Sequence, residues 1–232
     1  MSEGCRGCTG RCCYDVVVHV TPFDVRRIAV AQHLEPIAIV RPREVTDRDR
    51  AANEAFGVRL DGTPRRFRPV LRKSASDTRA CQFLIHIDDE RKRCGIYADR
   101  PRVCAVYPFS TRRGSVDLRD DARCAPGDWD MARLDYAAVR REIAMYSAEW
   151  AATARIEEAW NAAVEQGRRS PSFASFARFA DRVAGELLPY AAATAFLLER
   201  WNEALLPPEL AEQRRSWLDG ISVAAGQIAH KA

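Results

Sequence analysis

The sequence predicts an α+β protein: a small cysteine-rich half with short strands and hairpins (residues 1–127), then an α-helical half (residues 128–232). Three observations predict it. All eight cysteines lie before residue 125. Short β-like runs, broken repeatedly by turn residues, occupy the same stretch. Beyond Gly127 the apolar residues recur at helical spacing and cysteine disappears. With 47% apolar and 29% charged residues, a packed core can form at least in part without help.

In the first half, Tyr14–Val20 reads as a strand with Val16, Val18 and Val20 on one face. A helix is expected immediately after it and ends near Leu34: Thr21 suits the N-cap, Pro22 the first helical position and Asp24 the first turn. Residues 41–80 are charged and turn-rich, and read as loops and short elements. Phe83–Ile87 and Arg93–Ile96 flank the polar turn Asp88-Asp89-Glu90, which predicts a hairpin, and a second hairpin is expected to turn at Arg112-Arg113-Gly114.

In the second half, Val139, Ile143, Tyr146 and Trp150 form a helical stripe, broken by the stretch from Arg168 to Pro171. Phe173, Phe176, Phe179 and Val183 mark a second helix, expected to be disturbed at Pro189. A third is expected to run to about Leu205 and stop at Pro207-Pro208, and a last one to start at Glu209. The aromatic stripes read as core packing rather than as a ligand box.

No apolar stretch of signal length opens the chain, and no run approaches the ~20 residues a bilayer needs. The expected location is therefore the cytoplasm, where thiols stay reduced and a cysteine-rich pattern reads as metal-binding or redox-active rather than as a disulfide framework. Charge is distributed unevenly. Residues 1–127 carry 24 Arg or Lys against 17 Asp or Glu, and residues 128–232 carry 12 against 15. Part of the basic excess would offset metal–thiolate charge. Of the 36 basic residues 33 are Arg, and only Lys73, Lys92 and Lys231 are Lys.

The cysteines carry the chemistry. Cys5-x2-Cys8-x3-Cys12-Cys13 is followed by Cys81, Cys94, Cys104 and Cys124. Four thiolates close a tetrahedral zinc site or ligate one iron–sulfur cluster, so eight suffice for two such sites. In extended backbone the side chains of Cys12 and Cys13 would point to opposite faces, so sharing one metal needs a tighter backbone. The expectation is two metals per chain or one multinuclear centre, of zinc or iron, with all eight cysteines as ligands. Arg100, Arg102 and Tyr107 are candidate hydrogen-bond donors to thiolate sulfur.

The early cluster, Cys81-Gln82-Phe83-Leu84, and Cys94-x-Ile96-Tyr97-x2-Arg100-Pro101-x2-Cys104-x2-Tyr107-Pro108 together resemble the YkgJ-type cysteine-cluster family, also called the CxxCxxCC domain. The resemblance spans roughly residues 5–124. It implies zinc or iron binding and no single reaction. Three residues separate Cys8 from Cys12 where the family name has two, and Ala105 stands where an Arg often follows. A related cluster occurs in flagellin lysine methylases, but this chain has no cofactor-binding glycine motif for methyl transfer.

His19, His33 and His86 are candidates to replace a cysteine as ligand, but with eight cysteines present they read as locally hydrogen-bonded, and His230 as a solvated tail residue. The basic stretch Arg65-Arg66-Phe67-Arg68 with Arg72-Lys73 lacks interleaved aromatics, and the whole chain carries only +4, so it reads as a solvated face or as charge balance for the metal site rather than as a nucleic-acid surface. Two functional readings follow. In one, structural zinc holds the first half together and the helical half contacts a protein partner. In the other, an iron–sulfur centre serves redox chemistry or a protein-modifying, methylase-like reaction. The sequence leaves enzymatic activity open.

Overall fold

The structure is a computed structural model. It describes residues 9–14, 16–46, 57–60, 63, 65–112, 115–124, 129, 131–198 and 208–230. Cys5 and Cys8 lie outside the described residues, as does the expected helix stop at Pro207. The fold is α+β, with strands confined to the first half and long helices to the second.

Helix α1 (Pro22–Gln32) starts as its sequence dictates. The Thr21 side chain accepts the Asp24 N–H, the Asp24 side chain accepts the Thr21 N–H, and Pro22 opens the first turn. The helix ends at His33, which takes a left-handed conformation with φ 53°. After α2 (Pro36–Ile39) come β1 (Val40–Glu44), β2 (Val58–Arg59) and β3 (Arg66–Leu71), which form an antiparallel sheet in the order β1-β3-β2. The turn-rich stretch thus contributes a small sheet.

Tyr14–Val20 is not a regular strand. Its pairing with neighbouring segments consists of isolated contacts, among them the bridges Tyr14–Ala80 and His19–Val70 and backbone bonds from Val20 N–H to Pro69 and from Leu71 N–H to Val18. Val20 is fully buried while Val18 only packs at the edge of its cluster, so one end of the segment is drawn into the core and the rest runs along it.

The first expected hairpin forms from β4 (Leu84–His86) and β5 (Lys92–Cys94). Its turn is fixed by the Asp88 carboxylate, which accepts the Glu90 and Arg91 N–H groups at 3.1 and 2.6 Å. A short helix α3 (Arg102–Val106) leads into the second hairpin, β6 (Phe109–Arg112) and β7 (Ser115–Leu118).

The helical half comprises α4 (Tyr136–Glu165), α5 (Phe173–Leu198) and α6 (Pro208–His230). Asp135 caps α4 by accepting the Ala138 N–H. The helix expected to falter at Pro189 continues through it to Leu198. Trp160, Phe176, Phe179, Val183 and Ile221 are buried together, and Phe23, Val58 and Leu60 of the first half enter the same cluster. The stripe read from Val139 to Trp150 is deepest at Val139, while the rest of the core seam on α4 runs through Ala148, Ala152, Ile156 and Trp160. Edge strand β2 is secured by α4: Glu157 accepts the Gly57 N–H at 2.8 Å, Asn161 accepts the Arg59 N–H at 2.8 Å, and Trp160 Nε1 donates to the Arg59 carbonyl at 3.3 Å. Among the described residues, no helix is long and apolar enough to cross a membrane.

Candidate metal centre

Cys12 and Cys13 sit in a 3-10 turn (Arg11–Cys13) made possible by Gly10 at φ 75°. A side chain at Gly10 would be strained there and would press on Lys92 at 3.1 Å. The turn supplies the tighter backbone that adjacent cysteines require, and both thiols line the same cavity. Cys81 is held beside them, since its N–H donates to the Cys13 carbonyl at 2.8 Å. Lys73 locks this arrangement from behind, its Nζ donating to the carbonyls of Val16 and Arg79 at 2.9 Å each. Gln82 ties the same segment to α2 through the Ile39 carbonyl.

Cys94 closes β5, and Cys104 lies on α3. Each of Cys81 and Cys94 receives a backbone N–H two residues on, from Phe83 and Ile96 respectively. Such bonds favour the thiolate. Cys124 is brought in by the Arg123 N–H, which donates to the Tyr107 hydroxyl. Six cysteines (Cys12, Cys13, Cys81, Cys94, Cys104 and Cys124) therefore line one cavity of about 720 Å³, whose remaining wall is largely apolar. None of the six is in a disulfide.

The thiols feel one another. The Cys13 thiol donates to Cys12 and pulls it down to about 7, against burial and with help from Arg100. The same bond and burial push Cys13 up. Burial raises Cys81 and Cys94, and raises Cys104 well above its ordinary value, where Cys12, Cys81 and Cys94 add to the effect. A divalent cation bound by these thiols would have to displace their protons, so its affinity would rise with pH.

Of the three candidate donors to sulfur, Arg100 and Tyr107 line the cavity. The charge of Arg100 reaches Cys12 and Cys94, and its guanidinium lies 4.0 Å from the centre of the Tyr97 ring. Arg102 instead bonds Glu142 and Glu149, both at 2.7 Å. The Tyr107 hydroxyl accepts the Arg123 N–H and keeps its own hydrogen to donate. The basic stretch is divided: Arg65 stays exposed beside Glu44, while the rest turns to partners within the protein. Arg66 donates to the Gly57 carbonyl, Arg68 stacks 5.0 Å from the Trp150 ring centre, and Arg72 donates to the Ile37 carbonyl. His86 bonds the Tyr14 hydroxyl at 3.1 Å, and His33 ends α1.

The donor set fits zinc or iron in kind, being soft thiolates from separate segments with N–H groups and a cation directed at them. Among the described residues, however, no three Cys, His, Asp or Glu side chains are drawn together closely enough to enclose an ion as they stand. The thiols ring a cavity rather than a point.

Reading residues one at a time missed Lys73 and the carboxylates Asp24 and Glu149. Lys73 had a signal, being one of three lysines in an arginine-rich chain. Asp24 was legible only as a helix-start residue, and Glu149 had no signal at all. No curated protein and no solved structure matches the chain significantly. The model of one family matches residues 4–125, the stretch that holds every cysteine and the whole wall of thiols, and the chain therefore belongs to the CxxCxxCC family, described as a putative zinc- or iron-chelating domain.

Proposed function

We propose that this protein binds zinc or iron through its cysteine cluster, as two ions or one multinuclear centre in a single cavity. The observation that supports this best is the convergence of six cysteines on one cavity from four stretches of chain: Cys12–Cys13, Cys81 to Cys94, Cys104 on α3, and Cys124 after β7. Cys5 and Cys8 complete the ligand set. Binding draws the thiol-bearing segments inward and releases their protons, so affinity rises with pH. Six free thiols suit the reducing cytoplasm.

A cavity of about 720 Å³ is larger than one tetrahedral ion requires, and this favours a second reading, an iron–sulfur centre in a redox or protein-modifying reaction. The test is elemental and sulfide analysis of anaerobically purified protein, with an absorption spectrum of the same sample. About two zinc per chain and no visible absorption is the result expected of a structural centre. Several iron with acid-labile sulfide and broad visible absorption would select the second reading. One mononuclear ion, or no metal after anaerobic reconstitution, would overturn the proposal.

A further inference from the structure

The helix that carries Cys104 has no cap of its own. Its N-cap position is Pro101, whose side chain has nothing to offer a backbone N–H. The N–H of Arg102, first in the helix, is accepted instead by Asp24 Oδ1 at 2.9 Å, from 78 residues away in sequence. The other oxygen of Asp24 closes the capping box of α1, 3.0 Å from both the N–H and the hydroxyl of Thr21. One carboxylate thus starts two helices, and one of them holds a metal-ligand candidate.

What surrounds Asp24 is more than a helix cap needs. A capping box works at the surface, whereas Asp24 is 1% exposed and Glu149 beside it 5%. Two buried carboxylates are costly unless paired. Arg27 bonds both of them, and Arg102 reaches from α3 to Glu149 and on to Glu142. The Thr21 hydroxyl sits between the two acids, 3.2 Å from Glu149. The network joins α1, α3 and α4, and its more deeply buried carboxylate, Asp24, is fastened to the backbone two residues before Cys104.

We propose that Asp24 is a positioning residue for metal uptake: held by Arg27 and Thr21, which Glu149 anchors in turn, it caps the Cys104 helix and sets that thiol against Cys12, Cys81 and Cys94. The proposal rests on the metal-binding reading above. Asp24 touches no metal and acts through the Arg102 amide and the helix behind it.

The test uses the full-length protein in cobalt(II) titrations, which count thiolate ligands by charge-transfer absorption, with zinc competition for affinity and thermal unfolding of the metal-free form. Asp24→Ala is expected to weaken uptake by at least about tenfold and to lose the intensity of one thiolate. Asp24→Asn keeps an oxygen that can accept the Arg102 N–H, and recovers most of the affinity. Ile221→Ala, in the helical core, lowers the unfolding temperature but leaves affinity and spectrum unchanged. Wild-type affinity and spectrum in Asp24→Ala, or a loss equalled by Ile221→Ala at similar destabilisation, would overturn the positioning role while leaving metal binding intact. If the wild type takes up neither cobalt nor zinc, the metal reading itself fails, and the positioning role falls with it. Should Asp24→Ala not fold, Glu149→Gln decides: a loss of about threefold is expected, and no change would overturn the proposal.

Discussion

Around Trp160, three helices close on one another through apolar side chains. Its ring lies 5.4 Å from Phe176 and 5.5 Å from Phe179, and Ile156, Val183 and Ile221 around it are fully buried. Around Cys104 the organisation differs. Strands run three or four residues, segments are tied by polar bonds from Lys73, Gln82 and Asp24, and six thiols stand around a cavity. The first region is specified by side-chain volume, which one rotamer set satisfies. The second is specified by backbone geometry, and it leaves an apolar-walled space that a bound centre would fill. The region around Trp160 thus gains its order from packing, whereas the thiol-bearing segments add polar ties to a smaller apolar cluster, that of Val20, Ile28, Val40 and Ile96, against which Cys81 and Cys94 pack.

Metal removal should break the two regions apart and is the largest effect expected. Structural zinc contributes on the order of 10 kcal/mol to folding. Under a chelator, hydrogen exchange should lose protection at the Cys81, Leu84, Gly95 and Cys104 amides, which now bond to carbonyls in turns and to the Cys13 strap. Amides of α4 around Trp160 should stay protected. Simultaneous loss in both regions would show a single cooperative unit. Next in size, Trp160→Ala should cost about 3–5 kcal/mol, and the cost should be the same with and without chelator in urea unfolding. A cost that appears only in the metal-loaded protein would show that the helical core supports the cavity directly.

The parts of this molecule that local chemistry determines were readable in the sequence. Thr21, Pro22 and Asp24 announce the start of α1, and Asp88 announces the hairpin turn, because cap and turn residues act on neighbours in the chain. The cysteine spacing announced a metal family for the same reason. Tertiary context decided the rest. Tyr14–Val20 alternates like a strand, yet its backbone partners are scattered over Pro69, Val70 and Ala80. Pro189 lies within a helix that continues past it. Within the basic stretch, Arg66 and Arg72 bond the carbonyls of Gly57 and Ile37, which nothing in the run itself marks as partners. Asp24 and Glu149 are 125 positions apart on ordinary-looking helices, and nothing local marks two acids that will share Arg27.

One charged group inside the apolar region sharpens the comparison. Glu157 is 1% exposed, and its Oε1 has no hydrogen-bond partner among the described residues, while Oε2 accepts the Gly57 N–H. Burial raises its carboxyl from 4.5 to about 7, only partly opposed by Arg68 and the Gly57 bond. The folded chain therefore keeps a proton that the unfolded chain releases between those values. Its contribution to stability is complete below about 4.5, is lost as pH rises towards 7, and is constant above. Glu157→Gln retains an oxygen for Gly57 and carries no charge. It should unfold a few degrees higher than the wild type at pH 8, with the difference vanishing near pH 4. The reverse outcome, a variant less stable at pH 8, would mean that the carboxylate is held as an ion by Arg68. In that case the helical region, too, depends on a buried polar tie, and the contrast with the cysteine region narrows.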